Sequence, residues 1–269
     1  MITPKILFSD IDGTLLNESR VLSKATVDEF KRIKEEIPVI LISSRMPKAM
    51  VHLQKMAEVT HFPIIAYNGG LILVEDHIAF SLEIKTTIVE AMMDFNANNR
   101  VHFSLYNTND WYVPKMDYWA KREQNNTKVI PTVLPNKQVI AKWKLEEKGA
   151  HKIMCMGNVD DIDALYAYLE TNFGTQLHLY RSKSTYIEIA PSAISKKTAV
   201  EFLLKKVYPT LDISEAVAFG DNYNDIEMLK AVGFGVAVAN ARSEVKAVTK
   251  YTTSAGSADG VANFIKKYI

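Results

Sequence analysis

The chain has 269 residues, 48% of them hydrophobic and 23% charged, which is the composition of a folded globular protein and excludes a disordered, collagenous or coiled-coil one. Lys and Arg number 32 against 31 Asp and Glu, a formal charge of +1, so no charge excess favours nucleic acid or an anionic membrane as partner. Cys155 has no second cysteine to pair with, no apolar run reaches the roughly 18 residues of a membrane helix, and the first residues lack a signal-peptide layout, so a cytoplasmic location is expected.

In chain order, what recurs is a short apolar run that stops at a polar residue. Ile6-Leu7-Phe8 ends at Asp10, Pro38 to Ile42 ends at Ser43, and Ile64-Ile65-Ala66 leads to Asn68. Ala216 to Phe219 ends at Asp221, and Phe234 to Val238 follows. Runs this short and this continuously apolar predict strands buried on both faces of a parallel sheet. Amphipathic helices are predicted between them. Ser23 caps one that carries Val27, Phe30 and Ile33, Pro47 opens another ahead of Met50, Leu53 and Ala57, and Ala199, Phe202, Leu203 and Val207 mark a third.

Strand alternating with helix predicts an α/β fold, a doubly wound, Rossmann-like parallel sheet whose functional groups collect at the carboxyl ends of the strands. The interval from Asn68 to Lys196 is too long for a connection within one sheet layer. It has its own signals: helices around 86–99 and 160–172, and strands at 101–106, 152–156, 177–180 and 185–190. The expected division is a core of residues 1–81 and 185–269, with an inserted α+β cap domain at 82–184.

The strongest chemical signal is Asp10-Ile11-Asp12-Gly13-Thr14, directly after the first strand. A carboxylate such as Asp10 accepts a phosphoryl group as an acyl phosphate, and a neighbour such as Asp12 protonates the leaving oxygen and then deprotonates water. The same residues also suit an ordinary turn with a helix cap. Gly220-Asp221-Asn222-Tyr223-Asn224-Asp225 is a second acidic cluster after a strand, equally readable as an N-cap with a solvated helix start. Its hard oxygen donors, with no His or Cys at ligand spacing, favour Mg²⁺ over zinc. Ser43-Ser44-Arg45 precedes a helix and offers a hydroxyl and backbone N–H groups to an anion. Lys196 and Lys197 open a helix whose dipole disfavours cations, which makes sense if one of them faces a phosphate.

With these motifs together the chain resembles the haloacid dehalogenase-like superfamily, in its Cof-type branch of sugar-phosphate phosphatases. Asn68-Gly69-Gly70, Gly235 to Ala241 and Asp259-Gly260-Val261-Ala262 match that branch as well. The resemblance implies Asp10 as nucleophile and Asp12 as acid and base. It implies Mg²⁺ on the Asp10 carboxylate, the Asp12 carbonyl and the Asp221 carboxylate, with Asp225 nearby. Ser43, the Ser44 N–H, Lys196 and Asn224 would bind phosphate, and the insert would be the cap of this branch. Two positions depart from the pattern: Ser44 stands where the family has Gly, and Lys197 follows the motif lysine where Gly is usual. The register with Ile194 and Val200 favours Lys196, and Lys197 stays open as the working residue.

The cap is where substrate selection is expected. Trp111, Trp119 and Trp143 all fall between 111 and 150, with eight Lys or Arg against four acids. Aromatics there suit stacking on a sugar or base, and equally packing inside the cap. The expected activity is a phosphatase for a small-molecule phosphoester, with no nucleic-acid or membrane partner. A phosphomutase or phosphotransferase using the same aspartyl phosphate, and a non-catalytic phospho-ligand sensor, are the alternatives.

Overall fold

A computed structural model describes residues 2–98 and 100–269. Two compact units make up the chain, one holding the residues up to Phe80 together with Ser195–Ile269, the other Ser81–Ile194. The first unit begins β1 (Ile6–Ser9), α1 (Lys24–Ile33), β2 (Val39–Ile42), α2 (Val51–Ala57), β3 (Ile64–Ala66), β4 (Leu71–Val74) and β5 (His77–Ser81). The second unit contains α3 (Thr86–Phe95), β6 (His102–Asn107), β7 (Asp110–Val113), α4 (Tyr118–Thr127), β8 (Thr132–Val133), α5 (Asn136–Leu145), β9 (Lys152–Met156), α6 (Val159–Phe173), β10 (Leu177–Lys183) and β11 (Tyr186–Pro191). The chain then returns with α7 (Lys196–Lys206), β12 (Ala216–Gly220), α8 (Ile226–Ala231), β13 (Phe234–Val238), α9 (Ser243–Lys246), β14 (Tyr251–Thr253) and α10 (Gly260–Tyr268).

The sheet of the first unit runs β14-β13-β12-β1-β2-β3-β4-β5. From β14 to β3 every pairing is parallel, and β4 then lies antiparallel to β3. This is the Rossmann-like α/β core expected from the apolar runs. Every residue of β1, β2, β3 and β12 is buried, as the continuous apolar sequence requires of strands covered on both faces. Ile6, Phe8, Ile40 and Ile42 pack on one side against α7 through Ala199, Val200 and Leu203. Ser23 caps α1 by accepting from the Thr26 N–H. Pro47 opens a short 3₁₀ turn, and the α-helix proper starts only at Val51. Ser195 caps α7 in a capping box with Thr198, which sets Lys196 as the first helical residue.

The second unit has a six-stranded sheet in the order β10-β11-β9-β6-β7-β8, antiparallel except for the β7–β8 pair. One face packs Phe103, Leu105, Ile153, Cys155, Ile187 and Ile189 against apolar residues of α3, α5 and α6. The expected insert at 82–184 is longer in the structure, because Tyr186–Pro191 pairs with β9 and β10 and so belongs to the second unit. The helix expected over 86–99 ends at Phe95, and Asn99 lies outside the described residues. Trp111 and Trp143 are buried, Trp143 edge-on to Tyr112, and some of the basic residues of this stretch form ion pairs, Lys144 with Glu90 and Lys148 with Glu146. No helix among the described residues is long and apolar enough to cross a membrane.

Candidate active site

The candidate residues of the first unit converge at the carboxyl ends of β1, β2 and β12, which are adjacent in the sheet although distant in sequence. Asp10 directly follows β1, and its N–H donates to the Phe219 carbonyl of β12 at 3.1 Å. The residue is 5% exposed. Lys196, from the first turn of α7, donates from Nζ to Asp10 Oδ1 at 2.5 Å and to Asp225 Oδ1 at 2.6 Å. Lys197, by contrast, is half-buried, its side chain 42% exposed, and pairs with Glu201 on its own helix at 3.5 Å. The geometry therefore brings Lys196, not Lys197, to the acids.

Asp225 is fully buried. Its Oδ2 accepts from the N–H groups of Asp221 at 2.9 Å and Asn222 at 3.0 Å. It thus shapes the loop after β12 as well as anchoring Lys196. Thr14 Oγ1 donates to Asp221 Oδ1 at 3.2 Å, tying the turn after Asp12 to that loop. Gly13 is required there twice over. Its φ is +85°, and a Cβ on it would stand 2.3 Å from Asp221 Oδ2.

Asp10, Asp221 and Asp225 each offer a carboxylate oxygen, all within 4.8 Å of one another. These three acids have one ammonium between them, so charge of one sign accumulates in a buried place. Burial raises the Asp10 carboxyl well above the usual range; Lys196 opposes this, and Asp225 and Asp221 add to it. Asp221 is pushed up to about 6, first by burial and then by Asp225. For Lys196 burial works against the charge, but Asp10 and Asp225 outweigh it and hold the ammonium above its ordinary value. The donor set fits a hard divalent cation: all the ligand atoms are oxygens, and the excess negative charge is what such an ion removes. Both Asp225 oxygens already accept N–H bonds, which leaves the Asp10 and Asp221 carboxylates as the better donors.

Asp12 points elsewhere. Arg45 grips it with a two-point fork, Nε to Oδ2 and Nη2 to Oδ1, both at 2.7 Å, and Arg20 Nη2 adds a bond to Oδ1 at 2.8 Å. Burial by itself would raise this carboxyl; the Arg45 hydrogen bonds and the charges of Arg45 and Arg20 outweigh it and hold the pKa below the usual value.

Ser43 is 1% exposed, and its Oγ accepts from the Arg45 N–H at 3.2 Å, so the loop closes on itself before the 3₁₀ turn at Pro47. Ser44 is not among the described residues with positive φ, so its backbone conformation does not call for the glycine that is usual there. Asn224 Nδ2 donates to Asn68 Oδ1 at 3.1 Å, and Asn68 N–H donates to the Ser43 carbonyl at 2.8 Å. Asn68 itself sits at φ +55°, beside Tyr67 at +52° and Gly69 at +105°. The site thus also gathers Arg20, Arg45, Thr14 and Asn68, to which sequence reasoning assigned no role. Arg45 had a usable signal in its place directly after the Ser43-Ser44 pair; Arg20 had none.

A family model for haloacid dehalogenase-like hydrolases matches residues 7–265. A protein of Haemophilus influenzae, provisionally named a phosphatase, is 30% identical over 267 residues, 98% of this chain and 97% of its own. A Bacillus subtilis protein named 5-amino-6-(5-phospho-D-ribitylamino)uracil phosphatase is 25% identical over 275 residues, 98% of this chain and 97% of its own. Among solved structures, a haloacid dehalogenase-like hydrolase from Bacteroides thetaiotaomicron superposes with a TM-score of 0.90 at 24% identity, over 99% of this chain and 100% of that one. The chain belongs to the haloacid dehalogenase-like hydrolases. Within them it is an enzyme of the phosphatase type.

Proposed function

We propose that the protein is a Mg²⁺-dependent phosphatase that hydrolyses small phosphoesters through a phosphoryl group carried on Asp10. The observation that supports this most is the contact of the Lys196 ammonium with both Asp10 and Asp225 at a sheet end that also presents Asp221. A buried carboxylate held beside a fixed cation is oriented for attack, and the same cation balances the phosphoryl oxygens that arrive.

Asp10 and Asp221 would hold Mg²⁺, with the Asp12 carbonyl as a further donor. The ion would supply positive charge to neutralise the phosphoryl oxygens. Ser43, the Ser44 N–H, Asn224 and Lys196 would bind those oxygens. An Asp10 oxygen then bonds to phosphorus while the bond from phosphorus to the alcohol oxygen breaks, and Asp12 gives that oxygen a proton. Water next bonds to phosphorus, the acyl-phosphate bond breaks, and Asp12 takes the proton from the water. The two arginines hold Asp12 below its usual pKa, which favours the proton-accepting form of this second step over the proton-giving form of the first.

The second unit holds none of these residues, and we assign to it the choice among phosphoesters. The ribityl-linked uracil phosphate of the Bacillus subtilis relative's name makes phosphorylated sugars, polyols and their heterocyclic conjugates the first substrates to try. The test is phosphate release from such a panel with and without Mg²⁺, beside Asp10→Asn. Release that needs the metal and is lost in the variant supports the proposal. An isomerised sugar phosphate with little free phosphate would favour a transferase instead.

A further inference from the structure

Asn68 joins the three segments that carry the candidate phosphate-binding groups. Its N–H donates to the Ser43 carbonyl at 2.8 Å, and its Oδ1 accepts from Asn224 Nδ2 at 3.1 Å. The next residue, Gly69, packs on the start of α7: a Cβ there would stand 2.8 Å from the Ser195 carbonyl oxygen and 2.8 Å from the Ala199 Cβ. Lys196 belongs to that same first turn of α7. One turn of chain thus meets the loops after β2 and β12 and the start of α7, with Asn68 only 5% exposed between them.

The backbone of this turn is held in an unfavourable form. Tyr67 and Asn68 lie in succession at φ +52° and +55°, in the left-handed region that residues other than glycine seldom adopt. Tyr67 N–H donates to the Arg45 carbonyl at 3.1 Å, and with the Asn68–Ser43 bond this clamps the turn to the Ser43–Arg45 loop. Glycine would take the Asn68 conformation at least as readily as asparagine, so the backbone does not call for the amide. What the amide does is bond to Asn224. Asn224 is half-buried, and among the described residues this is the one hydrogen bond of its side chain. A carboxamide has two N–H donors on one side and an acceptor oxygen on the other. Released, it can turn over and present the oxygen, which repels a phosphoryl oxygen.

We infer that Asn68 is a positioning residue: its Oδ1 takes one N–H of Asn224 and so fixes the Asn224 amide, with the second N–H left for a phosphoryl oxygen. This rests on the reading of Asn224 as a phosphate-binding residue. In this role Asn68 acts only through Asn224 and touches neither phosphorus nor its oxygens.

The test is a double-mutant cycle on phosphate affinity. Inorganic phosphate is titrated by calorimetry into the full chain with Mg²⁺ present, for the wild-type protein, Asn68→Gly, Asn224→Ala and the double variant. Asn68→Gly puts at φ +55° a residue that adopts it freely and removes the amide. Each single variant is expected to weaken phosphate binding about tenfold, the loss of one hydrogen bond to a charged group. The double variant is expected to bind within about twofold of Asn224→Ala alone, because the amide that Asn68 holds is already gone. A turn that merely supported the fold would instead weaken binding by the same factor whether or not Asn224 were present. Wild-type affinity in Asn68→Gly would mean that Asn68 does nothing for phosphate. A loss in the double variant near the product of the two single losses would mean that it acts by another route, through the Ser43 loop or α7. Either result overturns the inference. If Asn68→Gly does not fold, Asn68→Ala takes its place in the same cycle. Asp10→Asn is run in parallel: if it still releases phosphate from a phosphoester at the wild-type rate, the phosphatase reading has failed, whatever the cycle shows.

Discussion

The ammonium of Lys196 lies 2.5 Å from the carboxylate of Asp10, although 186 positions separate the two in the chain. The contact exists because α7 starts, through the Ser195 cap, where β1 ends. Removing Lys196 would leave Asp10 and Asp225 buried without a counter-charge. Lys196→Met is expected to cost about 3–5 kcal/mol of stability, as for a broken buried ion pair. Its turnover is expected to fall by about a hundredfold or more. Lys197→Met, which loses only a solvated pair with Glu201, is expected to stay within about 0.5 kcal/mol and near full activity. Urea melts and phosphate release on both variants make the comparison.

Gly13 and Asp221 leave no room between them for a methyl group. Gly13→Ala must either move the Asp221 carboxylate or strain a backbone held at φ +85°. Strain of this kind is worth about 1–3 kcal/mol, so Mg²⁺ affinity measured by titration calorimetry is expected to fall by about tenfold or more. Wild-type affinity in this variant would mean either that the backbone takes the strain and Asp221 has not moved, or that Asp221 does not hold the ion.

The pH dependence of the metal effect follows from Asp221. Its carboxyl titrates near 6 in the folded chain against an ordinary 3.8, because of burial first and the neighbouring Asp225. Below 3.8 it carries its proton in both folded and unfolded states. As pH rises towards 6 the unfolded chain releases the proton first, so stability due to this group is lost through that window, about 3 kcal/mol as an upper bound. A divalent cation offsets that loss only where the carboxylate is ionised. Mg²⁺ is therefore expected to raise the melting temperature more at about pH 7.5 than at about pH 5, and Asp221→Asn to reduce the difference, the rest being due to the likewise raised carboxyl of Asp10. An equal rise at both pH values would contradict the assignment.

His151 contributes to acid stability in the second unit. Thr108 N–H donates to its Nδ1 at 3.2 Å, so the ring proton sits on Nε2, 3.0 Å from Ser81 Oγ. Burial holds the pKa down at about 4, with Glu83 acting weakly the other way. Above 6.5 the ring is neutral folded or unfolded. Between 6.5 and about 4 only the unfolded chain gains the proton, so stability falls as pH drops through that window. His151→Gln is expected to flatten that part of a stability–pH curve followed by near-ultraviolet circular dichroism.

Much of the core was legible because parallel strands buried on both faces must be continuously apolar, as in Ile6–Ser9 and Val39–Ile42. The helices α4 and α5 escaped notice. α4 buries only Ala120 and so has no apolar stripe to read, and β8 is two exposed residues paired at the sheet edge. The acids at strand ends stood out by position, and the structure places Asp10 and Asp221 within one cluster. Asp225 looked like a helix-start acid. Its weight comes from Lys196 and from two loop N–H groups, a set that only the folded chain assembles. Arg20 was invisible for a different reason: its reach to Asp12 depends on a left-handed turn residue with no glycine to mark it.

The most direct test of the central claim is acid quenching of the enzyme during turnover of a radiolabelled phosphoester, followed by peptide mapping. The expected result is label on the peptide that contains Asp10, formed only with Mg²⁺ present and absent in Asp10→Asn. Phosphate release by Asp10→Asn at the wild-type rate, with no label on that peptide in either protein, would contradict it.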